Sequence, residues 1–190
     1  MPGKQIRDRD QIVENSLKAF LAAGSPEISL DRLAGAVGVS KRMLIHYFGG
    51  REELEEKAFT LLEDRLRAQF APSRFPSGLS IQVLMDALWQ QSTAPESRGV
   101  LLLVMDLTRR AWSGSPGSER ARAFYNEQQR LWQELLLHYL PDQGAVEELL
   151  QLFQGTILAY LVTGDPEPGR RSLARLCARL SESHPTPGPN

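Results

Sequence analysis

Apolar residues in this chain recur three and four positions apart almost from end to end, and runs of alternating polarity are hard to find. One face of an α-helix repeats with that spacing, so the pattern confines the chain to an all-α fold. Glycine and proline punctuate it into about nine helices. The first covers residues 8–23, with Ile12, Val13, Leu17, Phe20 and Leu21 on one stripe, and Gly24 closes it, because glycine tolerates the left-handed conformation in which helices often end. Ser29 opens a short helix over 30–37: its hydroxyl can accept a hydrogen bond from a first-turn amide, and Asp31 suits the positive end of the helix dipole. Gly38 breaks it. Ser40 opens a third helix over 41–48, which Gly49 and Gly50 stop. A longer helix runs from Arg51 to about Phe70, its start rich in acidic residues as a helix amino end favours. After a loop at 71–78, five more helices are expected at about 79–92, 95–112, 118–140, 145–163 and 168–183, divided by glycine and proline clusters. The expected division is a domain over 1–50, a larger one over 51–185, and a loose proline-bearing tail at 186–190.

With 190 residues, 42% of them hydrophobic, the chain is long enough to bury a core and too apolar to be disordered. Its one cysteine, Cys177, excludes a disulfide framework. Its three histidines stand in very different segments, so no metal centre and no cofactor are expected. The longest mostly apolar run, 99–107, is far short of the roughly 20 residues of a membrane span, and the start has no apolar stretch behind its basic residues. These features lead to the expectation of a soluble, cytoplasmic protein with no membrane partner. The net charge of -1 hides an asymmetry: residues 1–51 carry 8 Lys/Arg against 5 Asp/Glu, and the rest carries 14 against 18. That is a weak pointer to an anionic partner at the amino end; a charge pattern this shallow is usually just a solvated surface.

The segment 29–48 gives the charge asymmetry a motif. Leu30, Leu33, Ala34 and Val37 form the inner stripe of a supporting helix, Gly38 makes a tight turn, and Val39 plugs the crevice. Leu44 and Phe48 hold down a second helix that leaves Lys41, Arg42, Met43, His46 and Tyr47 on or near its outer side. Such a helix-turn-helix fits the major groove of duplex DNA, and helix amino ends with their capping hydroxyls suit phosphates. The pattern alone also fits a structural helical hairpin whose outer side faces water, with His46 merely packed or capping a carbonyl.

Residues 11–54 together, however, resemble the DNA-binding domain of the tetracycline-repressor (TetR) family of bacterial transcription regulators. The marks are Phe20 and Gly24, Ser29-Leu30, Leu33-Ala34, Gly38-Val39-Ser40, Leu44, His46-Tyr47-Phe48 and Arg51-Glu52-Glu53-Leu54. The resemblance implies that Ser29, Ser40 and Tyr47 touch phosphates and that Lys41, Arg42, Met43 and His46 face the groove. Arg51 stands where the family commonly has a phosphate-contacting lysine. Departures are Ile45 for a usual tyrosine, Arg42 for a small residue, Met43 for a threonine and Gly49 for a proline. Arg42 in that place reads either a guanine or a phosphate.

The resemblance further implies a non-enzymatic homodimer on near-palindromic duplex DNA, released by a small-molecule effector. Large flexible and aromatic side chains in the middle helices suit an apolar pocket or plain core: Met85, Trp89, Met105, Trp112, Tyr125 and Trp132, with Asp106 and Arg109 as polar anchors or solvated residues. The last two helices carry Phe153, Ile157, Tyr160 and Leu161 on one stripe and Leu173, Leu176, Cys177 and Leu180 on another. These stripes are expected at the dimer interface, the alternative being that both are buried within one chain. Competing classes are a helical-bundle enzyme and a protein-binding adaptor. The bundle enzymes place Glu and His three apart on paired helices, whereas here Glu134 and His138 are four apart with no second copy.

Overall fold

The computed structural model describes residues 2–76, 78–114 and 117–183, with side chains from Arg9 onward; the expected tail at 186–190 lies outside the described residues. The helices are α1 (Pro2–Ala23), α2 (Leu30–Val37), α3 (Lys41–Phe48), α4 (Arg51–Gln69), α5 (Ile81–Thr93), α6 (Arg98–Ser113), α7 (Ser118–Leu137), α8 (Gln143–Thr163) and α9 (Glu167–Ser183). The fold is all-α. Two 3₁₀ turns, Pro72–Arg74 and Pro95–Ser97, stand between them. The second takes the place of the first turn expected for α6: Ala94, ahead of a proline, is extended, as the proline ring requires. α1 begins six residues earlier than expected, with Pro2 at its first position, where a missing amide hydrogen costs nothing.

The chain divides into two compact units, 1–68 with 99–128, and 69–98 with 129–190. The first unit thus takes in α4, α6 and the start of α7 beside α1, α2 and α3. In the first unit, Leu17, Phe20, Leu33, Leu44, Phe48, Leu54 and Phe59 are almost fully enclosed. The Phe20 and Phe59 rings lie 6.3 Å apart and Phe59 and Phe124 6.2 Å apart, joining α1, α4 and α7. Arg120 grips Glu63 with two hydrogen bonds of 2.7 and 3.0 Å. A Cβ on Gly99 would lie 2.6 Å from the Leu21 carbonyl oxygen, so only glycine lets α6 approach the end of α1 this closely.

The second unit is built on α5, α8 and α9, with a ladder of rings through its middle. Phe70 meets Trp132 at 4.7 Å, Trp132 meets Phe153 at 5.1 Å, and Phe153 meets the edge of Trp89 at 5.9 Å. By length and composition, α8 is long and apolar enough to cross a membrane, at a mean hydropathy of 1.2, although polar residues interrupt its apolar run. Its inner residues Val146, Leu149, Leu150, Phe153 and Ile157 are buried, within a unit where α8 packs on α9 and α5.

Candidate nucleic-acid interface

α2 and α3 form a helix-turn-helix whose boundaries follow from the capping residues. Ser29 accepts a hydrogen bond from the Arg32 amide at 3.2 Å, and Ser40 accepts one from the Met43 amide at 3.2 Å. Each hydroxyl answers an orphan amide of its helix and keeps its own O–H as a donor. Between the helices Gly38 turns at φ 76°, the left-handed region where a side chain would strain the backbone. The Val39 amide then returns to the Ala34 carbonyl at 3.1 Å. Leu44 and Phe48 are buried, and this fixes which side of α3 faces out.

Opposite Leu44 and Phe48, the helical repeat puts Arg42 and His46, flanked by Met43 and Ile45. All four are exposed, as is Lys41, whose ammonium lies 3.2 Å from Asp31. Met43 is 41% and Ile45 46% exposed, so two apolar side chains border two cationic or polar ones. Apolar contacts with thymine methyl groups and forked arginine contacts with guanine are the two chemistries such a face supplies. Ile45 is not among the expected contact residues, because it departs from the family's pattern. By helical spacing it stands nearer the buried stripe than Met43, yet it is as exposed.

Tyr47 is half-buried at the edge of this face. The Arg9 guanidinium donates to the Tyr47 carbonyl at 2.6 Å and lies over the Phe48 ring at 5.2 Å, so α1 fixes the carboxyl end of α3. Nothing in the sequence connects Arg9 to residue 47. Arg51, expected at a phosphate, is engaged within the protein: its guanidinium donates to the carbonyls of Pro26 and Ile28 and to Glu55, so it ties the loop ahead of Ser29 to α4.

The same loop is gripped from α6. Ser25 donates to Asp106 at 2.9 Å, Arg109 reaches Asp106 at 2.9 Å and Glu27 at 3.2 Å, and Arg110 reaches Glu27 at 3.1 Å. Arg110 also stands 3.5 Å from Glu55. The Arg110 hydrogen bond, ahead of that from Arg109, holds the Glu27 carboxyl below its ordinary value. Asp106 and Arg109, expected as polar anchors of a ligand pocket, are therefore part of the framework of the helix-turn-helix.

The other expected pocket residues separate as well. Trp112 is 90% exposed and Tyr125 is exposed, Met105 is partly buried, and Trp132 belongs to the ring ladder. Met85 and Trp89 are buried and line a cavity of about 320 Å³ in the second unit. At the expected dimer interface, Phe153, Ile157, Leu173, Leu176, Cys177 and Leu180 are all buried inside one chain, and Tyr160 donates to the Thr93 carbonyl at 3.0 Å. Leu161 is half-buried, like Tyr160, and the buried members of these stripes face α8, α9 and α5 of the same chain. The side of α8 that stays outward carries Leu158 and Val162, 53% and 80% exposed. Burial pushes the Cys177 thiol up to about 11, out of the range of a reactive thiolate at neutral pH.

No family model matches the chain, and no curated protein matches it significantly. Among solved structures, a TetR-family transcriptional regulator from Streptomyces coelicolor superposes with a TM-score of 0.72 at 19% identity, covering 96% of this chain and 92% of that one. A second, from Rhodococcus sp. and described as belonging to the same family, gives a TM-score of 0.64 at 19% identity over 92% of this chain and 98% of its own. The chain thus has the fold of the TetR-family regulators over nearly its whole length.

Proposed function

We propose that this protein is a sequence-specific DNA-binding transcription regulator, a cytoplasmic repressor that acts as a homodimer and leaves its operator when a small molecule binds. The observation that carries the reading is the outer face of α3, where Arg42, His46, Met43 and Ile45 stand exposed between two serine-capped helix starts. The caps aim amides and hydroxyls at phosphates, and the exposed face supplies both polar and apolar readout of base edges. Ser29, Ser40, Lys41 and Tyr47 serve the backbone, and Arg42, Met43, Ile45 and His46 serve the bases.

One such helix reads only a few base pairs, so a near-palindromic site calls for two copies. The outward strip of α8, with Leu158 and Val162 beside an unobstructed Gly155, is the surface that serves a second copy. Effector release requires a ligand with unequal affinity for the DNA-bound and released conformations.

Titration against random duplex DNA at rising salt tests the core of the proposal. A regulator binds with log affinity falling against log salt at about -0.9 per phosphate neutralised. Binding that is absent at low salt, or flat across the series, overturns it.

A further inference from the structure

What α3 lacks is as selective as what it carries. From Lys41 to Phe48 it holds no Asp, Glu, Asn, Gln, Ser or Thr. Leu44 and Phe48 are buried, Tyr47 is half-buried at the edge, and Lys41 is drawn to Asp31 at 3.2 Å. Arg42 and His46, four residues apart, are left as a central outward ridge, with Met43 on one flank and Ile45 on the other. Neither member of the ridge has a hydrogen-bond partner among the described residues, and both flanking side chains are exposed.

The hydrogen-bonding capacity of this face is lopsided. A guanidinium offers five donors and no acceptor, and the alkyl and thioether flanks give no donor and at most a weak acceptor. The one strong acceptor within the outward four is a ring nitrogen of neutral His46. Base edges in the major groove sort against that capacity. Guanine presents two acceptors, O6 and N7, and thymine presents the O4 acceptor beside a C5-methyl group, the one apolar group in the pattern. Adenine and cytosine each present an exocyclic amino donor, which is recognised by an amide or a carboxylate side chain. The outer face of α3 has neither.

We infer that α3 is a reader of keto bases. Arg42 forks onto O6 and N7 of a guanine, and Met43 and Ile45 close on the C5-methyl groups of neighbouring thymines. Each contacted base pair is recognised through its guanine or its thymine, and the amino groups of adenine and cytosine go unread by this helix. The inference rests on the regulator reading above and adds to it the class of duplex edge that the operator presents.

The test starts from the duplex that the full chain selects from random DNA, rebuilt with one altered base at a time. 7-Deazaguanine lacks the N7 acceptor, 2′-deoxyuridine in place of thymidine lacks the methyl group, and purine 2′-deoxyriboside in place of deoxyadenosine lacks the amino group. At one guanine of each half-site, 7-deazaguanine is expected to weaken binding at least about fivefold, the loss of one arm of a bidentate contact. Deoxyuridine is expected to weaken it about fourfold for each methyl group taken out of apolar contact. Purine deoxyriboside is expected to leave the affinity unchanged. The four outward side chains are exposed, so substitutions there leave the core alone. Met43→Ser with Ile45→Ser should abolish the deoxyuridine effect, and Arg42→Gln, which adds an acceptor, should move the preference at its position from guanine to adenine. Full affinity with both keto-base analogues, a loss on removing the adenine amino group, a deoxyuridine effect that survives the serine variant, or a guanine preference that survives Arg42→Gln each overturns the inference. A wild type that selects no duplex at all overturns the regulator reading itself, which is a different result.

Discussion

Arg42 and Arg51 are both arginines in the helix-turn-helix region, and their surroundings give them different work. Arg51 is engaged by two loop carbonyls and a carboxylate. Arg42 is exposed and has no partner among the described residues. An unengaged guanidinium on the outer face of α3 is available for a bidentate contact with guanine, worth about 1–3 kcal/mol of discrimination. Arg42→Ala is therefore expected to change the consensus selected from random DNA at one position of each half-site; an identical consensus from both proteins removes Arg42 from base readout. The sequence showed which residues of α3 face outward, since the buried pair Leu44 and Phe48 fixes the helical phase. It did not show the fate of Arg51, because the carbonyls that hold it are 23 and 25 residues away.

Each helix of the chain was legible from apolar spacing and capping residues, which are local properties. The ties between helices were not. α6 holds the loop between α1 and α2 through Asp106, Arg109 and Arg110, residues that in sequence look like a polar patch on a mostly apolar helix. Glu27 is the centre of this tie, and its carboxyl is lowered from 4.5 chiefly by the hydrogen bond from Arg110. A carboxylate lowered in the folded state stabilises above its unfolded value, and the contribution fades as pH falls through the folded one. Glu27→Gln is expected to cost less than about 1 kcal/mol at pH 7, the side chain being half exposed and screened by solvent. It should also flatten the part of the acid-induced loss that begins below about pH 4.5. Denaturant midpoints of both proteins from pH 7 to pH 3 make the comparison, and parallel curves show that the tie contributes nothing.

At the scale of the molecule, the apolar stripes of α8 and α9 show how far periodicity reaches. A stripe says that a face is covered and leaves open by what; here Phe153, Ile157, Leu173 and Leu180 are covered by the chain's own helices. The outward pair Leu158 and Val162 was invisible as a separate feature, since α8 is apolar around much of its circumference. Because neither residue supports the core, Leu158→Glu with Val162→Glu should leave the fold intact and weaken self-association by at least about tenfold, placing like charges in a closed apolar contact. Sedimentation velocity reads this directly, and a double variant that sediments with the wild type moves the interface elsewhere. The chain also has a single sulfhydryl, sealed inside the second unit and poorly ionised. A cysteine installed at an outward position of α3 would then be the one site open to maleimide chemistry. Spin or fluorophore labels placed there could measure the spacing of two reading heads, with and without a bound compound, against a silent native background.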